Sequence, residues 1–206
     1  MVRQLRYGLM VAGVGLAFAI APALADKKKE LMSGASARML ADTCAGCHGP
    51  NGASGGPATP TISGFSHEYF IEVMEGFASG EVPSTIMGRI AKGYSKDEIK
   101  RLADYYSKMP FVKAKGQSFD PGLAKKGARI HEQYCEKCHA EGGNKAEDDS
   151  GILAGQWSTY VGYAMSDFRN GKREMTKKMK KKVKKLTKKE GDKGFQALLH
   201  YYASQQ

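Results

Sequence analysis

The sequence predicts an all-α protein built from two tandem domains that are related by internal duplication. Three observations support this fold class. Apolar residues recur at helical spacing in several segments, whereas no segment shows the alternating pattern of a strand. The string Cys-x-x-Cys-His occurs twice and uses all four cysteines of the 206-residue chain. The sequence around one copy is repeated around the other, which indicates two copies of one structural unit.

The N-terminal segment has the composition of an export signal. Arg3 and Arg6 are followed by an uncharged run and then by small residues that end at Ala25. This pattern predicts a secretory signal peptide at residues 1–25, cleaved after Ala25. Because lysines follow the run directly, an uncleaved membrane anchor is the alternative. Export predicts a periplasmic location for the mature chain, residues 26–206, where free cysteines would tend to oxidise.

An offset of 91 residues relates the two halves of the mature chain, beginning with Cys44 and Cys135. The same offset joins the pairs Ala37/Ala128, Arg38/Arg129, Gly64/Gly155, Tyr69/Tyr160, Met74/Met165, Phe77/Phe168 and Gly80/Gly171. The offset then drifts to 92 and to 96, which indicates two short insertions. Glycine and proline interrupt helical periodicity at residues 115–121. We therefore expect domain 1 at residues 26–115 and domain 2 at residues 116–206.

Two helices are predicted in each half from the spacing of apolar residues. The first precedes the cysteine motif, at residues 36–43 and 123–134, and the second follows a glycine-rich loop, at residues 66–77 and 157–168. Both pairs occupy equivalent positions in the repeat. Each half therefore carries its cysteine motif between a first and a second helix.

A third helix is predicted at the end of each half. In the first half the capping box Ser95-Lys-Asp-Glu98 predicts its start. Thr187-Lys-Lys-Glu190 offers the same start in the second half, and we expect Gly191 to delay the final helix there.

The two cysteine motifs predict covalent attachment of two c-type haems. In this motif the thiols add to the haem vinyl groups and the adjacent histidine becomes an axial iron ligand. The predicted attachment residues are Cys44, Cys47, Cys135 and Cys138, and the predicted axial histidines are His48 and His139. A zinc site built from both Cys-x-x-Cys pairs, or a dithiol redox motif, is the alternative, but it leaves both histidines unexplained.

The repeat also selects the ligands opposite these histidines. Met87 lies eight residues before Ser95, and Met179 lies eight residues before Thr187, the repeat partner of Ser95. Met87 and Met179 are therefore the predicted sixth ligands, with Met175 as the alternative in the second half. Two methionine ligands would leave no open iron position, which argues against a haem enzyme such as a peroxidase. The other repeated methionines are predicted to pack in the core, at Met74 and Met165.

The net charge is concentrated in one segment of the second half. The chain has a formal charge of +11, and residues 172–193 contain twelve Lys or Arg against three acidic residues. Such a block is usually a solvated face. It could instead dock an acidic electron acceptor or contact an anionic membrane surface, although no segment after the signal peptide is expected to span a bilayer. Nucleic acid is excluded as a partner by the predicted location.

Longer strings carry a resemblance to a known family. They are Phe70-Ile-Glu-Val-Met-Glu-Gly-Phe77, Ser84-Thr-Ile-Met-Gly-Arg-Ile-Ala-Lys-Gly-Tyr-Ser95, Tyr134-Cys-Glu-Lys-Cys-His139, Ile152-Leu-Ala-Gly-Gln-Trp157 and Tyr201-Tyr-Ala-Ser-Gln-Gln206. The halves resemble class I cytochrome c domains. The pair resembles the two-haem cytochrome subunits of flavocytochrome c sulfide dehydrogenases over nearly the whole mature chain, with a more basic segment at residues 177–189.

The resemblance implies a function and a partner. It implies an electron-transfer subunit, not an enzyme on its own, that takes electrons from a FAD-containing flavoprotein subunit oxidising sulfide to sulfur or polysulfide. The electrons would leave to a small acceptor such as another cytochrome c. A free-standing two-haem electron carrier is the alternative. The near-neutral charge of residues 73–94 favours the first haem as the one that faces the flavoprotein.

Overall fold

The computed structural model describes residues 34–145 and 150–206, and the predicted signal peptide lies outside these residues. The described residues form helices and no strands, which confirms the all-α fold class. The helices are α1 (Ala37–Asp42), α2 (Ala45–His48), α3 (His67–Ser79), α4 (Met87–Ala91), α5 (Lys96–Tyr106), α6 (Pro121–Tyr134), α7 (Ser158–Arg169) and α8 (Lys177–Ala203). None of them is long and apolar enough to cross a bilayer.

Side-chain caps fix where the helices of the first half begin. The hydroxyls of Ser36 and Ser66 accept hydrogen bonds from the backbone N–H three residues later, at the starts of α1 and α3. Ser95 and Glu98 form the predicted capping box at the start of α5, with both reciprocal bonds present. In the second half, the Asp120 side chain caps α6 in the same way.

The predicted helix start at Thr187 is wrong. Thr187 lies inside α8, where its hydroxyl donates to the backbone oxygen of Val183 at 2.9 Å. The helix begins instead after Thr176, whose hydroxyl accepts from the Met179 N–H. Its regular geometry is interrupted at Gly191, which has φ 56° and ψ −155°. The glycine therefore separates a lysine-rich first part of α8 from the predicted final helix.

Each half has its own hydrophobic core around its first and last helices. In the first half α1 packs on α5, and the ring of Tyr106 stacks on Phe70. In the second half α6 packs on α8 along most of its length. Gly127 permits this close approach, because a Cβ at that position would collide with the backbone of Ala197.

A polar and aromatic junction joins the halves. The Trp157 ring lies against Gly56, and its Nε1–H donates to the backbone oxygen of Ser54 at 3.0 Å. The Ala114 N–H donates to the Gly155 oxygen at 2.7 Å. Trp157 of the second half thus contacts the loop that follows the first cysteine motif.

Candidate haem-binding sites

The first cysteine motif presents a buried, oriented histidine. Cys44 follows α1, and Cys47 and His48 lie in α2. The Nδ1–H of His48 donates to the backbone oxygen of Pro60 at 2.9 Å, because a carbonyl can only accept. This bond fixes the tautomer and leaves Nε2 free to bind a metal. Burial lowers the pKa of His48, so the imidazole is neutral, as an iron ligand must be.

The second motif repeats this geometry. The Nδ1–H of His139 donates to the Gly151 oxygen at 2.8 Å, and burial lowers the pKa of His139 as well. In both halves the accepting carbonyl lies twelve residues after the histidine. The two halves therefore share both the cysteine motif and the hydrogen bond that orients its histidine.

The environment of the first cysteine of each motif suits a neutral sulfur. Burial raises the pKa of Cys44, and it raises the pKa of Cys135 to about 11. The hydroxyls of Tyr106 and Tyr202 contact these two sulfur atoms. A buried site of this kind disfavours a thiolate, which zinc binding or nucleophilic catalysis needs. It accommodates a thioether, because a thioether carries no charge.

The zinc alternative is not supported by the structure. Within residues 34–145 and 150–206, no group of three or more His, Cys, Asp or Glu side chains could hold a metal ion. The two Cys-x-x-Cys pairs lie in different halves and build no four-sulfur site. The donor set of each half, two thiols and one neutral oriented imidazole, fits covalent c-type haem.

Both methionines predicted as sixth ligands lie in the first turn of a helix. Met87 is the first residue of α4 and packs against the first core. Met179 lies in the first turn of α8, half-buried on the same side of the helix as Val183 and Leu186. Met175 precedes the cap of α8 and is half-buried too. Met87 is the first residue of α4 and Met179 the third residue of α8, so the two positions are similar but not identical. Iron ligation by Met87 and by Met179, and the choice of Met179 over Met175, stay predictions.

The predicted packing role of the other repeated methionines is confirmed. Met74 is buried in the first core, and Met165 packs against the second.

One buried group at the second site was not foreseen. His131 is 1% exposed; its Nδ1 accepts from the Tyr202 hydroxyl at 2.9 Å, and its Nε2–H points at Glu136 and at the His139 oxygen, at 2.8 and 3.0 Å. The repeat could have drawn attention to Tyr202, because its partner Tyr106 contacts the first motif in the same way.

A basic surface borders the second site. The first part of α8 turns Lys177, Lys180, Lys181, Lys184, Lys185 and Lys188 to solvent. On the side of α8 that faces α6, Lys182 Nζ donates to the backbone oxygen of Gln133 at 3.2 Å. Gln133 lies two residues before Cys135. The lysine-rich segment is thus a helix face beside the second cysteine motif, not a detached tail. We call this surface the lysine face.

Comparisons with known proteins agree with this geometry. The chain is 32% identical over 89 residues to cytochrome c-553 of Nitratidesulfovibrio vulgaris, covering 87% of that protein and 38% of this chain. The chain belongs to the cytochrome c family. No protein-family model matches it. With two attachment motifs in two cores, it is a cytochrome c4-like electron carrier with two haem sites.

Other relatives in this family match different parts of the chain. The cytochrome subunit of sulfide dehydrogenase from Chlorobaculum tepidum is 42% identical over 71 residues, which is 34% of this chain and 64% of that subunit, less than two thirds of its length. Cytochrome c4 of Azotobacter vinelandii is 29% identical over 187 residues, 80% of this chain and 81% of that protein. The crystal structure of reduced cytochrome c4 from Pseudomonas stutzeri superposes with a TM-score of 0.68 at 24% identity, over 82% of this chain and 97% of that one. The fold is therefore the predicted pair of class I cytochrome c domains.

Proposed function

We propose that this cytochrome is the periplasmic electron-transfer subunit of a flavin-dependent sulfide oxidoreductase. It accepts electrons from a FAD-containing flavoprotein partner and passes them to a small acceptor such as another cytochrome c. The 42% identity over 71 residues with a sulfide dehydrogenase cytochrome subunit carries the proposal. The mature chain begins after Ala25 and comprises domain 1, residues 26–115, and domain 2, residues 116–206.

Each domain holds its haem through the residues predicted above. Cys44 and Cys47 in domain 1, and Cys135 and Cys138 in domain 2, would form the thioether bonds. The iron would be held by His48 with Met87 in domain 1 and by His139 with Met179 in domain 2. A haem held in this way supplies a reversible one-electron couple. The backbone carbonyls of Pro60 and Gly151 hold the two histidines in one orientation, and two protein ligands to each iron would leave no position for a substrate. Sulfide chemistry therefore belongs to the flavoprotein partner.

The charges of the two halves suggest which surface meets which partner. The lysine face borders the second cysteine motif and attracts an acidic acceptor through the long-range field of its ammonium groups. The first half carries no comparable lysine cluster between residues 73 and 94. The first haem therefore faces the flavoprotein, and the second haem faces the acceptor.

Affinity purification of the tagged full chain from its native cells tests the proposal. Acid-released flavin in the purified fraction, together with haem reduction that sulfide drives only when the flavoprotein is present, is the expected result. Holoprotein that purifies without flavin, and whose haems are reduced by sulfide equally fast with and without the flavoprotein fraction, would contradict it.

A free-standing carrier is the second candidate. It is favoured by the alignments that span most of the chain, since those relatives are cytochromes c4 and a thiosulfate dehydrogenase electron acceptor from Thiomonas intermedia, 28% identical over 82% of this chain and 78% of that protein. Purification without any stable partner, with both haems reducible by a respiratory donor, would favour this function.

A further inference from the structure

We propose that Gln156, in the second half of the chain, is a positioning residue for His48 in the first half. It acts through the peptide group between Pro60 and Thr61. The inference rests on the proposed function, in which His48 is an axial ligand of the first haem.

The side-chain amide of Gln156 hydrogen-bonds both backbone groups of Thr61, in the first half of the chain. It is 1% exposed; its Oε1 accepts from the Thr61 N–H at 2.9 Å, and its Nε2–H donates to the Thr61 oxygen at 2.8 Å. Thr61 is equally buried, at 1% exposure. Neither backbone group could turn to water if Gln156 were lost, so the segment would shift to find new partners.

The Thr61 N–H that Gln156 binds belongs to the same peptide group as the Pro60 carbonyl, which orients His48. The Pro60 carbonyl and the Thr61 N–H are the two ends of one planar unit and move together. The carbonyl accepts from His48 Nδ1 at 2.9 Å while the N–H donates to Gln156. A hydrogen bond at one end of a peptide polarises the group and strengthens the bond at the other end. Gln156 therefore both places the Pro60 oxygen and makes it a better acceptor.

A stronger acceptor at Nδ1 makes the imidazole a more basic ligand. A more basic ligand favours the oxidised iron, so the hydrogen bond between Gln156 and the Thr61 N–H lowers the potential of the first haem. The repeat partner of Gln156 is Phe65, whose side chain has no atom that could hydrogen-bond a peptide group of the second half. Loss of Gln156 should therefore affect the first haem alone.

The test is a redox titration of the full two-haem protein, followed by visible absorption. Gln156→Met keeps the size of the side chain and removes both hydrogen bonds to Thr61, together with the one that Oε1 accepts from the Trp157 N–H at 3.1 Å. We expect it to raise the midpoint potential of the first haem and to leave that of the second unchanged. Gln156→Glu keeps an acceptor for the Thr61 N–H and is expected not to raise the potential. The variant Met87→Ala identifies which of the two potentials belongs to the first haem.

Gln117→Ala is the matched control at the same junction. Gln117 donates to the Gln156 backbone oxygen and accepts from the Ser158 N–H, at 3.1 and 2.8 Å, without touching Thr61. If this control raises the first potential as much as Gln156→Met, general loosening of the junction explains the shift and the inference is wrong. An unchanged first potential in Gln156→Met, or a raised one in Gln156→Glu, also overturns it. A protein that binds no haem would instead contradict the proposed function.

A second readout is the exchange of the histidine ring N–H with solvent, followed by nitrogen-15 NMR on reduced protein. Gln156→Met should speed exchange at His48 and leave His139 unchanged, whereas Gln117→Ala should leave both unchanged. Equal exchange at His48 in wild type and Gln156→Met would contradict the positioning role.

Discussion

Replacing His131 with leucine tests whether this buried group is neutral in the folded protein. Leucine stands at the repeat partner, Leu40, so the change copies the first half into the second. The variant leaves the Tyr202 hydroxyl and the His139 oxygen without their partner, whereas Glu136 has a side chain that is 40% exposed and reaches water. An unsatisfied buried polar group costs about 1–3 kcal/mol, and the added apolar burial of leucine offsets part of the loss.

We therefore expect a net loss of about 1–3 kcal/mol near pH 7.5, which lowers the melting temperature by roughly 2–12 °C for a chain of this size. The loss should shrink in acid. Burial lowers the pKa of His131, against the opposing effect of Glu136. Below the ordinary histidine pKa of about 6.5 the unfolded wild type binds a proton that the folded wild type does not, so its stability falls as the pH falls. The leucine variant lacks this penalty.

The assay is chemical unfolding of the two-haem protein between pH 5 and pH 8, with His67→Gln at a partly exposed site as the control. The stability gap between wild type and His131→Leu should narrow below about pH 6.5, by at most about 1.4 kcal/mol per pH unit. A gap that stays constant over this range would refute a neutral buried His131. A gap that widens in acid would mean that the folded protein carries a charged imidazole there.

Three further predictions concern the haem sites. Met179→Ala should remove the sulfur-to-iron absorption of one haem of two while Met175→Ala leaves it intact; the reverse result would mean that the repeat register is wrong. The double variant Lys184→Glu/Lys188→Glu should slow electron transfer to an acidic small cytochrome at low ionic strength and flatten the salt dependence of the rate. The control Lys100→Glu in the first half should change neither. Equal effects of the two variants would reject docking on the lysine face. Redox titration should assign the higher potential to the second haem, and the opposite order would contradict the proposed direction of transfer.

The repeat made most of the fold and the attachment motifs predictable. Apolar spacing located α1, α3, α6 and α7 to within a few residues, because each of these helices buries one face in its own half. The start at Thr187 was wrong because a Thr-x-x-Glu string is a local signal. Val183 and Leu186 continue the inward apolar face of α8 up to Thr187, so the helix extends without interruption to Gly191.

The residues that the sequence did not reveal act across the chain or depart from the repeat. Gln156 and Thr61 are 95 residues apart, and no periodic pattern links them. His131 was hard to interpret because its repeat partner is the apolar Leu40. In both cases the repeat shows that a position differs between the halves, but only the packed structure shows what the different side chain contacts.

Two differences between the halves both increase the gap between the haem potentials: one lowers the potential of the first haem, and the other raises that of the second. In the first half, Gln156 strengthens the acceptor for His48, which favours the oxidised iron. In the second half, the lysine face lies beside Cys135, and positive charge there favours the added electron, although solvent screens most of the effect at the exposed ammonium groups. Lys182 is the exception because it is half-buried against Gln133. Both effects make transfer from the first haem to the second favourable, so an acidic acceptor docked on the lysine face would meet the haem that holds the electron longer.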